Sequence, residues 1–433
     1  MIARVTPKML KGHAMVPGSK SHTIRAILLA AMAEGTSRIH NPLPSLDCKS
    51  AMKAAELFGA QTNMEDRVWT VTGTGGKIKV PDNYLDCGNS GSVAYFAAPM
   101  AALCDGYTFI TGDVQIRRRP MGETLSAICQ LGGEAFPSRP GSGSCPAIVR
   151  GRMRGGIARF EGTLSQVVSG IMMAAPLLEE DTEIFIKNPK EKPYLQLTLD
   201  WMLRYGILVE NKEDYRHFVI RGGRSYRKAD TVVASDWSGV AFPLVAAVIT
   251  DSEVVIDAVD FQDSQGDKAV VDCLIAMGAD ITRDLEAGTL AVKGGREMKS
   301  EVSIDLRDIP DSLPALSVAA AFARGDTRFT GLEHVRLKET DRVAVMEQEL
   351  GKMGADVETG PDYMTVHGGK RLTGTVVDSH GDHRVAMALT VCGLWAKGTT
   401  LVKGAQCAAV SFPDFFKVMN RLGAGIEILE DGV

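Results

Sequence analysis

Polar residues almost vanish from six stretches of this chain: Ser21 to Glu34, Ser92 to Asp105, Ser165 to Glu179, Asp236 to Thr250, Asp311 to Arg324 and Asp382 to Lys397. None carries the single apolar stripe of a surface helix, so each predicts a core helix, apolar on all sides and wrapped by other elements. More mixed segments alternate with them and end on a glycine before a short apolar run: Phe58-Gly59-Ala60, Leu131-Gly132-Gly133, Tyr205-Gly206-Ile207, Met277-Gly278-Ala279, Met353-Gly354-Ala355 and Leu422-Gly423-Ala424. A glycine in that place closes a helix and feeds a strand. The glycines recur roughly every 70 residues, which marks one supersecondary unit repeated along the chain.

Each unit reads as strand, apolar helix, turn, strand, amphipathic helix, glycine and further strand. The turns are expected at Gly35-Thr36, Gly106-Tyr107, Asp181-Thr182, Asp251-Ser252, Asp326-Thr327 and Gly398-Thr399. Such alternation predicts α/β architecture. At 433 residues the chain exceeds what one core sustains. Six repeats divide into two lobes of three, residues 1–18 with 236–433 forming one and 19–235 the other. The N-terminal strand is expected to pair with the last three repeats, so that the chain crosses near Pro17 and again near Ala234. The proline- and glycine-rich run from Pro137 to Pro146 reads as a surface loop.

The apolar helices open on G-S-K-S-H-T-I-R, G-N-S-G-S, L-S-Q, S-D-W-S-G, I-P-D-S and G-D-H-R. Helix starts present unpaired N–H groups and partial positive charge, so a fold that aimed them at one cleft would bind acids there. Cations accompany them: Lys20 and Arg25 at the first, Arg117, Arg118 and Arg119 before the second amphipathic helix, Lys338 and Arg342 in R-L-K-E-T-D-R, and Arg384 in G-D-H-R. Arginine forks suit carboxylate and phosphate oxygens, although the Arg117 to Arg119 run reads equally as a solvated face. Asp311 and Glu339, with His383 beside Arg384, are the candidate proton-transfer groups, provided burial or neighbours tune them towards neutral pH. Asp311 also reads as a plain helix N-cap. His380 and His383 form a weak metal-ligand pattern that lacks a third ligand, and no metal is expected.

A net charge of -5 argues against a nucleic-acid scaffold. The eight cysteines stand singly, without a C-x-x-C pair, which suits a reducing compartment. No signal peptide or membrane span is evident, so a cytoplasmic protein, monomeric and without membrane partners, is expected. The phosphate-binding P-loop, the dinucleotide fingerprint and the G-x-S-x-G hydrolase elbow are all missing.

Taken in order, P-G-S-K-S-H-T-I-R-A (Pro17 to Ala26), G-N-S-G-S (Gly88 to Ser92), R-R-P-M (Arg118 to Met121), Ser165-Gln166, K-P-Y (Lys192 to Tyr194), I-P-D-S (Ile309 to Ser312), R-L-K-E-T-D-R (Arg336 to Arg342), D-H-R-V-A-M (Asp382 to Met387) and S-F-P-D-F-F (Ser411 to Phe416) resemble the enolpyruvyl transferases, in particular the 5-enolpyruvylshikimate-3-phosphate synthase family. The resemblance implies a two-lobed fold of six βαβαββ repeats, three per lobe. Phosphoenolpyruvate (PEP) and a shikimate-type acid would bind in the cleft between the lobes, and no cofactor would be needed. It implies PEP binding by Lys20, Gly91, Arg119, Arg342 and Arg384, and acceptor binding by Ser21, Arg25, Ser165, Gln166, Tyr194, Asp311 and Lys338. Lys20, Asp311 and Glu339 match the proton-transfer positions. In that chemistry the PEP methylene is protonated, the acceptor hydroxyl loses its proton, and a tetrahedral adduct expels phosphate.

Departures from the family pattern collect around the acceptor. Leu164 and Glu191 stand where many members have serines that hold the acceptor's phosphate. Tyr95 replaces an arginine, His334 an asparagine and Val410 a lysine found in some members. A carboxylate ~4 Å from one unit of phosphate charge costs ~4 kcal/mol at an effective dielectric of ~20, so Glu191 opposes a phosphorylated acceptor unless it turns away, is protonated or pairs with Lys190 or Lys192. Three readings follow. The first is a transferase acting on shikimate 3-phosphate, its phosphate held by groups such as Thr163, Ser165 or Lys338. The second is a paralogue that transfers to, or dehydrates, an unphosphorylated cyclic acid. The third is a non-catalytic binding protein.

Overall fold

The computed structural model describes residues 1–430. The chain folds as two compact units, a continuous one, Gly18–Ala234, and a discontinuous one, Met1–Pro17 joined to the residues from Ser235 onward. Each unit has its own apolar core.

Six of the helices are the expected buried ones. They are α1 (Lys20–Met32), α3 (Gly91–Ala101), α5 (Ser165–Ala174), α7 (Trp237–Ile249), α9 (Leu313–Phe322) and α11 (His383–Gly393). Every residue of α7 and of α11 is buried. The helices α2 (Leu46–Leu57), α4 (Gly122–Gln130), α6 (Lys192–Arg204), α8 (Val270–Ala276), α10 (Arg342–Lys352) and α12 (Phe415–Arg421) bury only one side. All six repeat glycines lie in the left-handed region, with φ between 86° at Gly206 and 100° at Gly59.

Among the described residues, six four-stranded sheets complete the units. In the sheet built from Leu85–Asp86, Tyr107–Thr111, Glu134–Pro137 and Ala147–Arg150, the first two strands run parallel and the others antiparallel. The order of elements is therefore strand, helix, strand, helix, hairpin. Two strands trade places. Lys11–Met15 precedes α1 but pairs in parallel with Glu253–Asp257 of the discontinuous unit, whereas Asp230–Val232 precedes α7 but pairs with Thr36–His40 of the continuous unit. Ile2–Val5 fills the sheet of the last repeat, between Thr400–Lys403 and Glu427–Leu429.

Several boundaries differ from the sequence expectation. The stretch predicted from Ser165 to Glu179 tightens into a 3-10 turn at Ala175–Leu177, where Pro176 cannot donate a backbone hydrogen bond. The stretch predicted from Asp311 begins as a 3-10 turn, Pro310–Ser312, and becomes α-helical at Leu313. Asp326-Thr327 lies inside the strand Gly325–Thr330 instead of at a turn, because Gly325 makes the turn at φ 97°. Among the described residues no helix is long and apolar enough to cross a membrane.

Candidate active site

In the discontinuous unit α7, α9 and α11 pack against one another, and α10 packs against α9 and α11. Their first turns meet in one polar network. Arg342, the first residue of α10, is 1% exposed. It donates from Nε to Asp382 Oδ2 at 2.7 Å, from Nη1 to Asp311 Oδ1 at 2.7 Å and from Nη2 to Glu339 Oε2 at 2.6 Å. Arg384, in the first turn of α11, donates from Nη2 to Asp311 Oδ2 at 2.8 Å and to Ser238 Oγ at 2.9 Å. Asp311 is thus shared by two buried guanidiniums. Asp236 caps α7 through the N–H groups of Ser238 and Gly239, and Asp382 caps α11 through that of Arg384.

This geometry overturns the N-cap reading of Asp311, whose side chain serves the two arginines while the turn it occupies has no side-chain cap. The condition set for proton transfer, a carboxyl tuned towards neutral pH, is not met by Asp311 in the free protein. Burial pushes the Asp311 pKa up, but Arg384, Arg342 and Lys338 outweigh burial and the opposing charge of Glu339 and hold it well below the usual carboxylate range. For Arg342, burial favours loss of the proton, and Asp382, Glu339 and Asp311 reverse that and raise its pKa well above the ordinary value. His383 and His334 are both fully buried, the first beginning α11 and the second in the turn Glu333–Leu337. His380 bonds Glu349 at 2.8 Å.

The continuous unit assembles a second set. Lys20, the first residue of α1, lies 3.3 Å from Asp47 of α2. Arg25 is buried and donates to Thr198 Oγ1 at 2.9 Å, to the Ser21 carbonyl at 3.0 Å and to the Tyr194 carbonyl at 3.3 Å. Thr198 donates in turn to Ser169 Oγ at 2.8 Å, so that α1, α5 and α6 are tied together. Phe96 lies beneath the Arg25 guanidinium at 5.0 Å. The Arg117 to Arg119 run divides: Arg117 and Arg118 are exposed, and Arg119 is buried with its guanidinium against the start of α3. A Cβ on Gly91 would stand 1.9 Å from Arg119 Nη1, so glycine is what allows the guanidinium to lie on that helix start.

The departures are equally well defined. Leu164 precedes α5 and is buried without capping it. Glu191 is 1% exposed, and its carboxylate accepts the Ser165 N–H at 2.9 Å and the Ser165 hydroxyl at 2.6 Å. Lys192 is 2.5 Å from Asp214. Tyr95 is buried in α3 and donates to the Pro120 carbonyl at 2.9 Å. Gln166 and Tyr194 are half-buried in the first turns of α5 and α6.

The sequence profile of the EPSP synthase (3-phosphoshikimate 1-carboxyvinyltransferase) family matches residues 5–432. The chain belongs to the EPSP synthase family. Within that family it is 41% identical over 430 residues to the 3-phosphoshikimate 1-carboxyvinyltransferase of Acetivibrio thermocellus, with 99% of this chain and 100% of that one covered. It is 38% identical to the enzyme of the same name from Methanocaldococcus jannaschii, with 97% of each chain covered. The EPSP synthase structure from Acinetobacter baumannii superposes with a TM-score of 0.82 at 29% identity, covering 99% of this chain and 100% of that one. The enolpyruvyl transferase NikO from Streptomyces tendae shares the fold at a TM-score of 0.80 and 18% identity, with 98% of each chain covered. The two-lobed enolpyruvyl transferase fold is therefore the fold of this EPSP synthase family member.

Sequence reasoning brought Arg342, Arg384, Asp311 and Glu339 forward, and these four are joined by direct hydrogen bonds in the discontinuous unit. It missed Asp382, Ser238, Asp47 and Thr198 as functional neighbours. Asp382 stood in the D-H-R string, and its type and place before an apolar helix mark a cap. For Asp47 and Thr198 no local signal exists, because their partners are distant in sequence.

Proposed function

We propose that the chain transfers the enolpyruvyl group of PEP to a hydroxyl of shikimate 3-phosphate and releases phosphate. The observation that carries this reading is Asp311 held between Arg342 and Arg384 at the meeting of four buried helix starts. PEP brings a phosphate and a carboxylate whose mutual repulsion must be offset by fixed cations and helix N-termini. Lys20, Arg119, Arg342 and Arg384, with the backbone at Gly91, take that role. Ser21, Arg25, Ser165, Gln166, Tyr194, Asp311 and Lys338 hold the acceptor.

Lys20, Asp311, Glu339 and His383 are the groups assigned to proton transfer. Asp311 is ionised in the free protein and, held so far below the usual range, is a weak base. A bound PEP carboxylate that draws the guanidiniums of Arg342 and Arg384 onto itself loosens that hold and raises the basicity of Asp311 as the acceptor hydroxyl arrives. The test is phosphate release from PEP with shikimate 3-phosphate, shikimate and related acids as acceptors. Release with shikimate 3-phosphate is expected. Lys20→Met should abolish it while the circular dichroism spectrum stays native, and undiminished turnover in that variant refutes the role of Lys20.

A further inference from the structure

The first turn of α5 lacks a capping side chain of its own, since Leu164 occupies the N-cap and offers no acceptor. Glu191 supplies one from 26 residues away. Its backbone sits in the left-handed region at φ 55°, just before α6, and its carboxylate points back to take both the N–H and the hydroxyl of Ser165. These are the donors that an external anion would take at this helix start. Glu191 is also one of the acidic groups acting on Arg25, whose own hydrogen bonds all go to neutral oxygens. One buried carboxylate therefore occupies the α5 donors and partly balances the buried cation.

We propose that Glu191 is a specificity-determining residue, an internal anion that competes with the phosphate of the acceptor for Ser165. The inference rests on the acceptor assignment made above. A phosphate carries nearly two negative charges at neutral pH. It reaches the Ser165 donors only by displacing Glu191, and the cost of displacement weakens binding of the phosphorylated acceptor while an unphosphorylated one is spared. Glu191 touches neither PEP nor the reacting hydroxyl in this scheme, so kcat is little affected.

The experiment compares wild type with Glu191→Ser and Glu191→Gln. Calorimetry measures binding of shikimate 3-phosphate and of inorganic phosphate, and steady-state kinetics measures shikimate 3-phosphate against shikimate as acceptor. Glu191→Ser is expected to tighten shikimate 3-phosphate at least tenfold, mostly in KM, and to raise its preference over shikimate by the same factor. Glu191→Gln keeps an oxygen for the Ser165 N–H and the side-chain volume. Should the serine variant fail to fold, tighter phosphate binding by the glutamine variant carries the test. A residue that is only a helix cap would lower the melting temperature of the serine variant more than that of the glutamine variant and leave the acceptor preference where it was, and that result overturns the proposal. Wild type active on shikimate alone, with Glu191→Ser gaining shikimate 3-phosphate, supports the role of Glu191 and overturns the acceptor assigned above. If no acceptor releases phosphate with any variant, the transferase reading fails, and the calorimetric comparison alone decides for or against Glu191.

Discussion

Arg25 and Arg342 are the same residue type, each within two turns of a helix start and each about 1% exposed, yet their charges are held in opposite ways. The Arg25 pKa is lowered from 12.5 to about 10, because burial outweighs the opposing effect of the nearby Tyr194 and Glu191. Arg342 suffers the same burial and ends well above the ordinary value, because Asp382, Glu339 and Asp311 surround it. Arg342 thus belongs to an ion network complete before any ligand arrives, whereas Arg25 is a cation held by neutral oxygens and stabilised further by any acid that binds beside it. The contrast separates two ways of building an anion site. One pre-pays for rigid geometry with carboxylates, and the other leaves charge available to the ligand.

The largest effect is expected from breaking the complete network. Arg342→Met leaves the buried Asp382 and the half-buried Asp311 and Glu339 without their shared cation, and removing one partner of a buried ion cluster costs about 3–5 kcal/mol. Urea unfolding should show a loss of that size together with lost turnover. A variant as stable as wild type would mean that the three carboxylates do not depend on Arg342.

Asp311→Asn attacks the same network from the anionic side and should lower kcat by roughly 10²–10⁴ if Asp311 is the general base. Its acid behaviour supplies a second readout. The folded pKa lies far below the unfolded 3.8, so the unfolded chain takes the proton first. The contribution of Asp311 is fully present above about pH 4 and is lost progressively as pH falls below that. The variant should therefore show a shallower decline of unfolding free energy below pH 4 than wild type, and identical slopes would remove Asp311 from the acid transition.

In the continuous unit Gly91→Ala is a smaller perturbation. The added methyl displaces the Arg119 guanidinium from the start of α3, since its position overlaps Nη1. Losing one charged hydrogen bond costs about 1.5–3 kcal/mol, so KM for PEP should rise roughly 10- to 100-fold with little change in melting temperature. An unchanged KM would place Arg119 outside the PEP site.

Much of this arrangement was legible because it is periodic. The six apolar helices and the six left-handed glycines repeat at a spacing that local pattern reveals, and the cations at the helix starts are neighbours of that pattern in sequence. The pairings that set the chemistry are not local. Arg342 meets Asp382 across 40 residues, and Glu191 reaches Ser165 across 26. Each depends on which helix starts the tertiary fold brings together, and residue type alone left Asp311 readable as a cap, a base or both. The Glu191 substitution was visible in the sequence as an added negative charge, but that it caps α5 follows only from where the α6 start lies.

The smallest stability effect, and the sharpest test of the contrast, belongs to Arg25→Met. Lowering the Arg25 pKa from 12.5 to about 10 means that holding its charge in the folded chain costs roughly 3 kcal/mol at neutral pH, a cost relieved only as pH rises from about 10 towards 12.5. Methionine removes that cost and keeps most of the side-chain volume. The acceptors it abandons are not orphaned: the Ser21 and Tyr194 carbonyls lie in helices that supply N–H partners four residues on, and Thr198 keeps Ser169. Against the gain stand the contact with Phe96, worth about 1–2 kcal/mol when desolvated, and the loss of a counter-charge for Glu191. The balance predicts unfolding free energy within about 1 kcal/mol of wild type, with acceptor binding lost. A fall as large as that expected for Arg342→Met would show that Arg25 is as fully compensated as Arg342, and the distinction between the two units would disappear.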